Sequence, residues 1–177
     1  MELFPAINKA YASLFGISPP ARACIAVDLP APSRVRLECI AYAESQLHER
    51  QCLHVQSLSY WAPANIGPYS QAITVHLLSC LFYTLYLMLF QVGQRVFVSG
   101  QIGLVPSSNM LPSPQSLPLE TALSLRHLRC VTNAIKPSSV APWDGATQGV
   151  ISWLAYPNNL VSVKRGMDAS KHVSGEM

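Results

Sequence analysis

Charge is scarce in this sequence. Its 177 residues hold 12 Lys and Arg and 9 Asp and Glu, for a formal net charge of +3. Only Lys164 and Arg165 form an adjacent basic pair, so no basic stripe points to nucleic acid. Trp61, Trp143 and Trp153 do not alternate with cations, which removes the stacking platform of a single-strand binder. There is no Walker-type phosphate loop and no G-x-S-x-G nucleophile elbow. The five cysteines lack C-x-x-C spacing, which predicts free, buried thiols in a reducing compartment, with Cys24 and Cys39 as packing residues. His48, His54, His76, His127 and His172 stand alone, so neither zinc nor triad chemistry is indicated. Glu2 and Lys9 interrupt the first fifteen residues, so a secretory leader is not expected and the cytoplasm is the default location.

Apolar side chains, by contrast, make up 50% of the chain, enough for a core. Residues 67–94 contain no Asp, Glu, Lys or Arg, and 77–90 read LLSCLFYTLYLMLF. A membrane helix needs about 20 such residues, and 72–92 is long enough. The flanks argue against a span: Arg95 lies on one side, Gly67 and Pro68 on the other, and His76, Ser79 and Gln91 fall within or at the edges.

Local patterns predict an amphipathic helix over 5–16, with Ile7, Ala10, Tyr11, Leu14 and Phe15 on its stripe and Gly16 as its stop. Two alternating strands follow at 22–29 and 35–42, then a polar linker within 43–52 and a strand at 53–60. Residues 95–104 are strand-like, with Gly100 and Gly103 marking a bulge or a close backbone approach. A helix is predicted at 119–135 and a last strand at 147–155. The order is αββ, linker, ββαβ, an α+β chain of helices backing a sheet.

Two pieces carry a resemblance. PPARACIAVDLP and VRLECIAY resemble the second half of a RidA-like (YjgF-type) domain. GPYSQAI, VFVSGQIGL and the helix LPLETALSLRHLRCVTNAI resemble the first half of another. Two such units in tandem look like the C-terminal region of the eukaryotic diphthine–ammonia ligase family. The resemblance implies a chorismate-mutase-like mixed sheet backed by helices, built here from partial units. It implies boundaries at 1–45 (second half of one unit), 46–52 (linker), 53–160 (first half of the next, with an insertion near 74–91) and 161–177 (disordered tail).

In that family an ATP-using domain amidates diphthine on elongation factor 2, and the RidA-like region follows it. This sequence has no SGGKD-type loop, so no ATP or other cofactor is expected in this chain. The family's two motif strands are the arms of one hairpin, and 74–91 stands between them here. Such a block looks like a retained non-coding segment or alternative exon. A membrane helix, a helix packed on the sheet and an unstructured apolar segment are the alternatives, the first being the least expected.

RidA-type proteins hydrolyse enamines and imines, which needs a cation for the substrate carboxylate and a polar group to orient water. Arg22 matches the family's carboxylate-binding arginine, since a planar guanidinium grips carboxylates through two hydrogen bonds; a rim arginine is the plainer reading. The acid of the next strand falls at Arg36, with Glu38 beside it. Glu38 serves only after a two-residue register shift, and otherwise forms a solvated pair with Arg36. Tyr69 matches a ligand-side tyrosine, and Gly100 and Gln101 match the strand that nears it, although Gly100 also suits sheet curvature. Family pockets form between neighbouring units, so a trimer-like homo-oligomer is expected, with Arg22 and Tyr69 meeting across an interface. The αββ and ββαβ pieces also hold about one domain's worth of strands and could complement each other as one permuted unit.

Overall fold

The computed structural model describes residues 2–41, 50–80, 89–135, 148–154 and 156–172. Helix α1 spans Phe4–Phe15, with Pro5 in its first turn and Gly16 accepting the left-handed φ that ends it. Three strands follow, β1 (Arg50–Leu53), β2 (Ala72–Cys80) and β3 (Leu89–Val98), in the order β1-β2-β3 and antiparallel throughout. Helix α2 (Leu117–Ile135) and helix α3 (Leu160–His172) complete the described chain, with a single 3₁₀ turn at Pro157–Asn159 before α3. The class is α+β, as predicted, but the sheet is small and antiparallel rather than mixed; Ala21 and Ser70 add one isolated parallel bridge.

The described ends of the apolar block, 74–80 and 89–91, are strand, where a membrane helix, a packed helix or an unstructured segment was expected. The register runs without a break from Ala72 opposite Val98 to Leu77 opposite Gly93. There a bulge leaves Val92 unmatched, and pairing resumes from Leu78 opposite Gln91 to Cys80 opposite Leu89. Each added residue extends a ladder already in register, so the described ends of the block continue the strands that flank it. Residues 81–88 lie outside the described residues. Among the described residues, no helix is long and apolar enough to cross a membrane.

One face of the sheet meets α2. Ala72, Val131 and Ile135 form the buried cluster, with Leu53, Trp61, Val96 and Val98 packed around it. Burying a side chain such as Val131 contributes about 1.5–3 kcal/mol. His127, on the same helix, is fully buried, and its Nε2 lies 2.8 Å from the Leu104 carbonyl. That contact makes Nε2–H the donor and leaves Nδ1 buried with no partner among the described residues. Gly103 passes so close to Glu120 that a Cβ there would collide with the α2 backbone, which answers why the loop carries glycine.

Several expectations are corrected. Residues 161–177 were expected to be disordered, yet Leu160–His172 is a helix lying along α2. Its buried positions, Val163, Gly166 and Ser170, are mostly small rather than apolar, so the hydrophobic pattern is faint. The predicted strands at 22–29, 35–42 and 147–155 are without strand ladders wherever described; the end of the hairpin meets the first of them at Arg22, through one backbone bond from Gly100, and no ladder continues from it. The linker and strand expectations near 43–60 shift, since β1 occupies Arg50–Leu53 and 54–60 forms loop. On α1, Leu14 is 76% exposed, and the inward face is Phe4, Ile7, Asn8 and Tyr11 instead. Cys24 and Cys39 are exposed, not buried; Cys24, Cys39, Cys52 and Cys130 are free thiols.

Candidate functional site

Residues 19–22 run across the open end of the β2–β3 hairpin, and this seam builds the candidate site. Ser70 N–H donates to the Pro20 carbonyl at 3.2 Å, and Gly100 N–H donates to the Arg22 carbonyl at 3.2 Å. Arg22 N–H in turn donates to Ser99 Oγ at 2.9 Å. Ser99 Oγ donates to the Ser70 carbonyl, and Ser70 Oγ donates to the Pro19 carbonyl. Ser70, Gln71 and Ser99 are all buried, so each hydroxyl or amide needs a partner to offset lost water. The motifs supply small hydroxyl residues where two backbones meet; at Gly100 a Cβ would sit 3.5 Å from Ala23, in ordinary contact, so the approach there does not itself demand glycine.

The Arg22 side chain enters a cage. Its guanidinium carbon lies 4.7 Å from the ring centroid of Tyr11, 5.7 Å from Tyr69 and 5.8 Å from Phe4. Nη2 donates to Asn8 Oδ1 at 2.8 Å. Phe4, Asn8 and Tyr11 recur at i, i+4 and i+7, which places them on one face of α1. Gly67 closes the floor, because a Cβ there would stand 3.1 Å from Nη2. Burial raises the pKa of Tyr69, against the opposing pull of the Ile66 backbone hydrogen bond and of Arg22. Burial likewise raises that of Tyr11, with Arg22 the main opposing influence. Both phenols are therefore neutral at pH 7, and the rings hold the cation through their π faces rather than as phenolates. Nη1 is buried with no partner among the described residues, so one donor of the fork is left over.

Beside the cage a small recess is lined by Ile66, Tyr69, Gln71, Gly100, Gln101 and Ile102, among others, with room of about 10 Å³, roughly one water. Gln101 Nε2 donates to Gln71 Oε1 at 3.0 Å and to the Ser99 carbonyl at 3.1 Å, while Gln71 Nε2 donates to the Pro63 carbonyl at 3.0 Å. The two amides thus hold each other at the wall of the recess. Of the residues predicted from sequence, Arg22, Tyr69, Gly100 and Gln101 come together, and they do so within one chain.

Glu38 does not join them. Its Oε1 lies 2.7 Å from Arg36 Nη2, with both side chains more than 70% exposed, the solvated pair that was the plainer reading. Asn8 and Tyr11 were missed as site residues; their spacing with Phe4 was the available signal, but Tyr11 was read as part of the apolar stripe and Asn8 lay off it. Among the described residues, no group of three or more His, Cys, Asp or Glu could hold a metal ion.

Comparisons with known proteins give the chain as a whole its relatives. The diphthine–ammonia ligase of Schizosaccharomyces pombe is 36% identical over 141 residues, 79% of this chain and 20% of that protein. Its namesake in Saccharomyces cerevisiae is 35% identical over 147 residues, 76% of this chain and 19% of that protein. No family model matches the chain, and no solved structure matches it. The chain spans about a fifth of the length of the curated relatives it matches, and over most of its own length it is related to the diphthine–ammonia ligases.

Proposed function

We propose that this chain is a fragment or isoform of a diphthine–ammonia ligase that retains the RidA-like accessory region alone, serving as a binding and scaffolding unit. The observation that carries this reading is the use made of Arg22. Its guanidinium faces inward, where Asn8, Phe4, Tyr11 and Tyr69 consume it in joining α1 to the hairpin. The candidate acid, Glu38, is engaged with Arg36 in solvent. A hydrolase would need both groups turned toward substrate. Full-length relatives would act on elongation factor 2 with ATP and ammonium, and this chain would contribute surface rather than catalysis.

The test mixes purified chain with diphthine-bearing elongation factor 2, ATP and ammonium. No amide should form, whereas adding the chain to a relative lacking the matching stretch should raise that relative's yield. Amide formation by the chain alone would overturn the proposal. The meeting of Arg22 with Tyr69 favours one second reading, an enamine or imine deaminase. Breakdown of 2-aminoacrylate that disappears in Arg22→Ala would put that reading first; equal rates in both proteins would end it.

A further inference from the structure

Residues 35–41 contain neither helix nor turn and belong to no strand ladder, although their sequence alternates like a strand. Arg36 and Glu38, two apart, meet at 2.7 Å, so the backbone between them is extended with both side chains on one side. The other side carries Val35, Leu37 and Cys39. Exposure on that side is 53% at Val35 and 75% at Leu37, and Cys39 is exposed too; Ile40, on the charged side, is 81% exposed. Among the described residues no backbone group bonds to 35–41, and an extended segment of this kind is a template for another strand.

We propose that residues 34–40 pair antiparallel with the same segment of a second copy of this chain, about a twofold axis through Leu37. The charges select that partner. In this register Arg36 of each copy stands opposite Glu38 of the other, Val35 opposite Cys39, and Arg34 opposite Ile40, with Leu37 facing its own counterpart. The two in-strand pairs and the two cross-strand pairs then form a square of alternating sign. A slip of two residues one way sets Glu38 against Glu38 with no compensating pair; the other way it sets Arg34 opposite Glu38 but Arg36 against Arg36, one repulsive pair more than the register through Leu37. The isologous arrangement closes on itself, so it ends at a dimer.

The test uses the full chain. Wild type should self-associate reversibly in sedimentation equilibrium. Glu38→Arg turns two attractive pairs repulsive and should raise the dimer dissociation constant about ten-fold. The swapped variant Arg36→Glu/Glu38→Arg should bring it back to the wild-type value. A third variant, Val35→Cys, reports the register directly: mild oxidation should join position 35 of one copy to Cys39 of another. Opposed residues lie about 4.5–5.5 Å apart, within disulfide reach, whereas positions 35 and 39 of one extended strand are about 13 Å apart. Mixing isotope-labelled and unlabelled copies identifies the cross-link as intermolecular. A chain that stays monomeric to about 1 mM, the weak end of specific association, would overturn the proposal. So would association indifferent to Glu38→Arg, or oxidation that never yields the 35–39 link; either result would assign these edges to another partner.

Discussion

Arg22→Ala is expected to release α1 from the rest of the molecule. The helix has no buried residue, so its attachment depends heavily on the cage. The hydrogen bond from a charged donor to Asn8 Oδ1 contributes about 1.5–3 kcal/mol, and each ring contact about 0.5–1 kcal/mol at a partly exposed site. Against these stands the buried, unpartnered Nη1, which costs about 1–3 kcal/mol. The balance is about 2 kcal/mol, or roughly a thirty-fold change in the equilibrium for undocking. A free helix of 12 residues is marginal in water, so undocking should melt it. Amide hydrogen exchange measures this residue by residue: protection within Phe4–Phe15 should fall about thirty-fold while β2 and β3 keep theirs. Arg22→Lys, which keeps the charge but loses the planar fork, should fall between the two. Unchanged protection of α1 in Arg22→Ala would refute the claim that the guanidinium is its tether.

Other outcomes follow from the same contacts. Burial lowers the pKa of His127, the Leu104 hydrogen bond opposes this, and Arg126 adds to it. The unfolded chain therefore binds the proton first, so stability should be full above the ordinary histidine pKa of about 6.5 and decline as pH falls below it. Urea midpoints measured across that range should slope for wild type and flatten for His127→Gln. Gly166→Ala would place a Cβ 2.5 Å from the Pro118 carbonyl and 2.6 Å from Thr121 Cβ, so α3 must move away from α2. A loss of about 1–3 kcal/mol, read from thermal melts, is expected from such overpacking. Ser99→Ala strands the Arg22 N–H in the seam and should cost about 1–3 kcal/mol; a neutral result would show that water replaces the hydroxyl there.

Helix α2 was legible in the sequence because Val131 and Ile135 repeat at helical spacing. Of the hairpin, only the strand-like run from 95 was read from the residues; the pairing of the two motifs came from the resemblance, and the strand character of 74–80 and 89–91 was missed because an unbroken apolar run has no period of two. Helix α3 was not legible, since Gly166 and Ser170 pack by smallness, which no hydrophobic count detects. The failure at 22–29 and 35–42 is of a different kind. Alternation in those segments reports a readiness to be a strand, but a strand exists only when another backbone lies beside it. For the site, motif chemistry singled out Arg22, Tyr69, Gly100 and Gln101, all of which converge. Their meeting inside one chain was not legible, because it depends on residues 19–22 crossing the hairpin rather than on either motif. Glu38 was legible in its plainer reading, since the solvated pair with Arg36 needs only two opposite charges two residues apart.

The seam also imposes an order on biosynthesis. Arg22 N–H and Ser99 Oγ are 77 positions apart. At a translation rate of about 5–20 residues per second, the earliest part of the chain waits roughly 4–15 s before its acceptor is made. Throughout that interval the Arg22 guanidinium has only the α1 side of its cage, Asn8, Phe4 and Tyr11, while its backbone N–H stays open to whatever chaperone or nascent neighbour meets it.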